Sequence, residues 1–152
     1  ETPRGIANID QWDCTNIEFS GIGFGSADYC ASTGGDMGKA SLAYGRGKII
    51  NAAALYNTLA LDGVWLDFRD PDGCKEETLY VKSMGFSGRF AIHPDQINPI
   101  HDAYRPTAQE LEWAKGVLEE AKSAGTGAFK YQGKMVDAPV LAVARSIISR
   151  ED

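Results

Sequence analysis

Three stretches of the chain are short, apolar and followed at once by turn residues: 17–24, 63–68 and 88–92. That pattern predicts strands buried on both faces, as in parallel α/β sheets, rather than the strict alternation of a half-exposed strand. Between the first two, Leu42, Ile49, Ala53 and Tyr56 recur at spacings that share one helix face, which predicts a helix over 39–61. Gly45 and Gly47 weaken its first half. Between the second and third, Pro71-Asp72-Gly73 reads as a turn, and 76–84 as a helix stopped by Gly85. The alternation is βαβαβ, so the strands are expected to be parallel with right-handed crossovers.

The pattern changes after Ile92. Thr107 and Glu110 form a T-x-x-E capping box ahead of Leu111, Ala114, Val117, Leu118 and Ala121, an apolar helix face that ends at Gly125 or Gly127. Residues 128–136 are two short alternating runs about Gln132-Gly133, which predicts a β-hairpin. A last helix starts near Pro139, with Val140, Ala144, Ile147 and Ile148 on one face. Three parallel strands are too few for a free-standing sheet buried on both faces, and open edges of that kind invite aggregation. The expectation is the later part of a larger parallel sheet or barrel. An opening of Glu1-Thr2-Pro3 in place of Met adds the expectation of a longer parent protein.

Composition narrows the classes. With 152 residues, 43% hydrophobic and 24% charged, the chain has the makeup of one ordinary globular domain, not of a disordered, collagenous or repeat protein. Fifteen Lys plus Arg against 21 Asp plus Glu leave a net charge of −6, which argues against nucleic acid and anionic membranes as partners. No run approaches the ~18 apolar residues of a membrane span, and no signal pattern opens the chain. Cys14, Cys30 and Cys74 are odd in number and lack C-x-x-C spacing, so they read as free thiols in a reducing compartment, either cytoplasm or an organellar matrix.

In parallel α/β folds the functional groups sit where the strands exit. The first exit runs from Gly21 to Asp28, the second holds Asp67-Phe68-Arg69-Asp70, and the third Ile92-His93-Pro94-Asp95-Gln96. The glycine run lacks the third glycine of a dinucleotide fingerprint, since Ser26 and Asp28 stand in its place. Its glycines suit close backbone approach to a ligand or a neighbouring strand. Taken alone, Asp28 reads as an Asx-turn residue, Glu1 as a frayed terminus and Cys30 as a small buried hydrophobe. His93 reads equally as a structural hydrogen-bonding residue and as a catalytic one.

Taken in order, several segments resemble the citrate lyase beta subunit family. They are Glu1-Thr2-Pro3-Arg4-Gly5, then Gly23-Phe24-Gly25-Ser26-Ala27-Asp28-Tyr29, Arg46, the run from Asp62 to Asp70, the stretch from Gly85 through Gln96, Pro106, and Gly133-Lys134-Met135-Val136-Asp137. That family includes malyl-CoA and citramalyl-CoA lyases within the HpcH/HpaI aldolase superfamily. The resemblance covers nearly the whole chain. It implies an α/β fold: the C-terminal part of a (β/α)₈ TIM barrel, from the end of strand five to strand eight over 1–105, with C-terminal helices and a hairpin lid over 106–152.

The resemblance also implies site residues. Glu1 and Asp28 match two acidic Mg²⁺ ligands, and a hard cation with two protein carboxylates keeps positions for water and a chelating 2-oxo or 2-hydroxy acid. Ala27 with Asp28, and Ile92 with His93, match loops whose backbone contacts substrate. Asp137 matches an aspartate that reaches from the lid into an adjacent subunit's site as acid/base at the acyl-CoA carbon; its place before Ala138-Pro139 also suits a helix N-cap. Arg89 reads either as a CoA phosphate contact or as a solvated surface cation.

The implied activity is Mg²⁺-dependent cleavage of a 3-hydroxyacyl-CoA of the malyl-CoA, citramalyl-CoA or citryl type into an acyl-CoA and a small 2-oxo acid. The implied assembly is a homo-oligomer, a trimer or a multiple of three. Two alternatives stay open: thioester hydrolysis on the same scaffold, and a truncated or assembly subunit without turnover.

Overall fold

The computed structural model of the protein describes residues 1–12, 17–125 and 127–151, so the expectation for Cys14 lies outside the described residues. The chain divides into two compact units, Glu1–Tyr104 and Arg105–Asp152.

The first unit is built on a parallel sheet of β1 (Gly21–Gly23), β2 (Leu59–Asp62) and β3 (Gly88–Arg89), in that spatial order. Ile22 pairs with Ala60, and Asp62 with Arg89. Around it lie α1 (Pro3–Asn8), α2 (Ser26–Thr33), α3 (Lys39–Leu55), α4 (Pro71–Met84) and α5 (Ile97–Tyr104). One face of the sheet, through Ile22 and Ala60, joins a core with Ile6, Ile9, Phe24, Leu42, Ile49, Val81 and Phe86. The strands therefore bury one face, not both as the apolar runs suggested. On the other face Leu59 and Phe90 are exposed, and the Phe90 ring covers Gly23.

The parallel βαβαβ order is as expected, but three boundaries shift. Residues 59–61, predicted as the tail of the first long helix, belong to the central strand β2. Leu59-Ala60-Leu61 favours helix locally, yet ladders to β1 on one side and β3 on the other override that preference. The break is made by Asn57, whose φ of 51° is left-handed, and by Tyr56, whose hydroxyl donates to Ile9 C=O at 2.8 Å. The predicted strand 63–68 is consequently the exit loop of β2, with Leu66 and Phe68 exposed. Pro71-Asp72-Gly73 is the first turn of α4 instead of an isolated turn: Asp70 accepts from Gly73 N–H at 2.9 Å, and Pro71 occupies a position where its missing N–H costs nothing. The outer strands are also shorter than the apolar runs 17–24 and 88–92.

In the second unit, α6 (Ala108–Ala124) begins at the expected capping box. Thr107 Oγ1 accepts from Glu110 N–H at 3.1 Å, and Glu110 accepts from Thr107 N–H at 2.7 Å. The hairpin of β4 (Phe129–Tyr131) and β5 (Lys134–Val136) is antiparallel, its turn made by Gln132 and Gly133 with φ of 46° and 78°. Two positive φ values at the central pair match the right-handed twist of the flanking strands. Then α7 (Ala138–Ile148) packs with α6 and β5 through Ala114, Val117, Val136 and Ala144. Among the described residues no helix is long and apolar enough to cross a membrane.

Candidate functional site

The first strand exit is organised by a helix that the sequence pattern did not reveal. Gly25 is the N-cap of α2 and has no side chain to announce it, so Asp28 lies in the helix's first turn and not in an Asx-turn. A carboxylate there is favoured by the exposed backbone N–H groups of the helix start. Glu1 packs across the same point. A Cβ placed on Gly25 would lie 2.5 Å from Glu1 Cβ, 3.1 Å from Glu1 Oε2 and 3.3 Å from Glu1 Cα. The terminus is held in place behind it, because Thr2 caps α1 by accepting from Gly5 N–H at 3.1 Å. Glu1 and Asp28 thus present exposed carboxylates at one exit, one against the helix cap and the other in the helix's first turn.

Carboxylates are hard oxygen donors, suited to a cation that takes oxygen and retains water. Among the described residues no group of three or more His, Cys, Asp or Glu side chains could hold an ion, so no richer protein site competes with this pair.

The second and third exits are tied together. His93 caps a short 3₁₀ turn, Pro94–Gln96, with Nδ1 accepting from Asp95 N–H at 3.2 Å. The ring stacks on Phe68 of the β2 exit, with centroids 4.6 Å apart and planes at 24°. The His93 ring thus takes part in one hydrogen bond and one ring stack. Ile92 N–H is held by Gln96 Oε1, while Gln96 Nε2 donates to Trp65 C=O.

Beneath these loops lies a buried ion network that sequence reasoning did not assemble. Arg46 on α3 grips Asp62 at the end of β2 with Nε and Nη2, both at 3.1 Å. Arg89 donates to the other face of the arrangement: Nη2 to Asp62 Oδ2 at 2.8 Å, Nε to Gly63 C=O at 3.0 Å and Nη1 to Thr78 Oγ1 at 3.3 Å. Glu77 Oε1 is 2.9 Å from Arg46 Nη1, an ion pair without the alignment of a hydrogen bond. Two buried guanidiniums face Asp62 and Glu77, and Lys39 from the exposed side lies 3.7 Å from the other oxygen of Glu77, so each buried charge has an opposite charge beside it. Burial works to lower the Arg46 pKa, but the bonds from Asp62 and the contact with Glu77 outweigh it and hold the guanidinium above its ordinary value.

Arg89 is therefore not a solvated surface cation; its side chain is 2% exposed, and Nε, Nη1 and Nη2 each donate to a protein acceptor. A cleft of about 210 Å³ beside the network is lined by Met37, Trp65 and Leu66 with Arg46, Glu77 and Arg89. Burial raises both described thiols: Cys30, further raised by Asp36, and Cys74, partly offset by Arg89 and Thr78. Neither is poised as a nucleophile.

Asp137, in the second unit, caps α7: its Oδ1 accepts from Val140 N–H at 3.4 Å. It is half-buried and, with Phe129, Leu141 and Arg145, lines a cleft of about 450 Å³.

Residues 1–94 match the family described as HpcH/HpaI aldolase/citrate lyase. Mitochondrial citramalyl-CoA lyase of Rattus norvegicus is 36% identical over 131 residues, which cover 83% of this chain and 39% of that protein. The citrate lyase subunit beta-like protein of Mycobacterium tuberculosis is 39% identical over 160 aligned positions, 99% of this chain and 57% of the relative. The crystal structure of protein CitE from Mycobacterium tuberculosis, in complex with magnesium, acetoacetate and coenzyme A, superposes with a TM-score of 0.83 at 33% identity, covering 99% of this chain and 58% of that one. The chain spans about half the length of the curated relatives it matches.

Proposed function

The chain belongs to the HpcH/HpaI aldolase/citrate lyase family, and from that premise we propose that it is the later part of a Mg²⁺-dependent carbon–carbon lyase. The substrate is a 3-hydroxyacyl-CoA of the malyl-CoA, citramalyl-CoA or citryl type, and the products are an acyl-CoA and a small 2-oxo acid. The observation that carries this reading is the placement of Glu1 against Gly25, at the head of the helix whose first turn bears Asp28. The scaffold is the C-terminal part of a (β/α)₈ barrel. Among the described residues β1 and β3 each have one neighbouring strand, and this, with Leu59 and Phe90 exposed on one sheet face, supports a sheet that continues into further strands.

In this reading Glu1 and Asp28 hold the ion, and Ala27, Ile92 and His93 contact the 2-oxo acid portion through their backbone. When bound, Mg²⁺ would supply positive charge beside the substrate's 3-hydroxyl oxygen, favouring loss of its proton; that oxygen becomes the keto oxygen of the 2-oxo acid as the carbon–carbon bond breaks, and the electron pair passes to the acyl-CoA carbon. Asp137 delivers a proton to the acyl-CoA carbon released by that cleavage, acting from the lid of an adjacent subunit in a trimer or a multiple of three. Its second carboxylate oxygen accepts no hydrogen bond from the described residues, so capping and proton transfer are compatible. Buried Cys30 and Cys74 suit a reducing compartment, cytoplasm or an organellar matrix.

The test is an assay of the full-length protein against malyl-CoA and citramalyl-CoA, with Mg²⁺ and after chelation. Release of a 2-oxo acid in step with acyl-CoA is the expected result. Release of free CoA thiol alone marks a hydrolase, and no turnover on either substrate marks a binding or assembly subunit.

A further inference from the structure

Backbone pairing between β2 and β3 ends where Phe90 N–H donates to Asp62 C=O at 3.1 Å. Beyond that point the two chains continue as exit loops, and a side chain takes over from the ladder. The Gln96 carboxamide, 1% exposed, accepts from Ile92 N–H at 2.9 Å and donates to Trp65 C=O at 2.7 Å. A carboxamide carries the same acceptor and donor as a peptide unit, so Gln96 acts as a peptide group inserted between the loops. It is itself anchored, since its backbone N–H bonds His93 C=O at 3.0 Å. Ala91, Ile92, Pro94 and Asp95 are exposed, and water at such a loop satisfies stray polar groups without fixing them. A buried carboxamide fixes them in one place.

We propose that Gln96 is a positioning residue: it fixes the backbone of Ile92 and His93 relative to the β2 exit, so that a 2-oxo acid meets a preformed edge. This rests on the reading of Ile92 and His93 as substrate contacts. The stacking of His93 on Phe68 ties the same two loops at a second point, but through a ring face that tolerates sliding. Gln96 sets the register with two directed hydrogen bonds, and small errors of placement at a reacting centre have large effects on binding and rate.

The test uses the full-length protein with Gln96→Glu and, separately, Gln96→Leu. The first keeps an acceptor for Ile92 and loses the donor to Trp65; the second loses both. Pyruvate, a minimal 2-oxo acid, is titrated in the presence of Mg²⁺ by calorimetry, and hydrogen exchange is followed in a peptide containing Ile92. Pyruvate affinity is expected to fall about ten-fold in Gln96→Glu and further in Gln96→Leu. Ile92 exchange is expected to accelerate most in Gln96→Leu. Wild-type pyruvate affinity in Gln96→Glu, with the Trp65 bond removed, overturns the proposal and leaves Gln96 a structural tie. That single variant decides the matter should Gln96→Leu fail to fold. A wild-type protein that binds no pyruvate with Mg²⁺ overturns the proposal together with the lyase reading beneath it, an outcome distinct from intact wild-type binding that the variants share.

Discussion

Glu1 lies across Gly25 so closely that a side chain at residue 25 would begin 2.5 Å from Glu1 Cβ. The contact explains why a residue at the start of the described chain is held at a strand exit, and it couples the placement of one carboxylate to the helix that carries the other. Gly25→Ala is accordingly expected to displace Glu1. In the full-length protein, Mn²⁺ titrated as a paramagnetic stand-in for Mg²⁺ should bind about ten-fold more weakly or worse, with the unfolding midpoint little changed. Unaltered Mn²⁺ affinity would remove Glu1 from the ion site.

Asp137 caps α7 and, in the proposed mechanism, also transfers a proton. Asparagine caps a helix as well as aspartate but carries no proton to give. Asp137→Asn should therefore lower turnover ~100-fold or more with little effect on stability, while Asp137→Ala should add a loss of ~1 kcal/mol from the missing cap. Turnover at the wild-type level in Asp137→Asn, with normal thermal stability, assigns the residue to capping alone.

The Arg46–Asp62–Arg89 arrangement makes a stability prediction independent of function. Asp62→Asn leaves Arg89 facing a neutral amide and Arg46 with Glu77 alone, and removing one partner of a buried ion pair costs ~3–5 kcal/mol. Urea denaturation should report a loss of that order. Arg89→Lys, which keeps the charge but cannot reach Asp62, Gly63 and Thr78 together, should fall in between.

Cys30 and Cys74 are buried, with pKa values raised by burial above that of an ordinary thiol. A raised pKa keeps the thiol protonated as pH climbs, so the reactive thiolate appears later than in the unfolded chain. Peptide mapping after alkylation at pH 7.5 should find both unmodified in the folded protein and both labelled in denaturant. Fast labelling of either under native conditions contradicts the burial described above.

What the sequence disclosed was local. The Thr107–Glu110 capping box, the Gln132-Gly133 turn and the Asp137 cap each involve residues within a few positions of one another, and each appears where the pattern placed it. The central strand was hidden because Leu59-Ala60-Leu61 carries no β preference of its own and gains its conformation from ladders to segments distant in sequence. The helix bearing Asp28 was hidden because its cap is a glycine, which leaves no polar signature. Arg46 and Asp62 stand 16 positions apart on a helix and a strand, and neither residue type advertises burial, so their pairing is a property of the fold. Gln96 was visible as a letter in a motif, but its two bonds to separate loops were not.

In the proposed function, Glu1 and Asp28 together make this chain part of a metal-dependent lyase. This role is tested most directly by comparing 2-oxo acid release from citramalyl-CoA by the full-length wild-type protein and its Asp28→Asn variant, each with Mg²⁺ and after chelation. Release by wild type should disappear on chelation and return with added Mg²⁺, and Asp28→Asn should lose ~100-fold or more with an unchanged unfolding midpoint. Release that persists without a divalent ion, or an Asp28→Asn variant as active as wild type, contradicts this role.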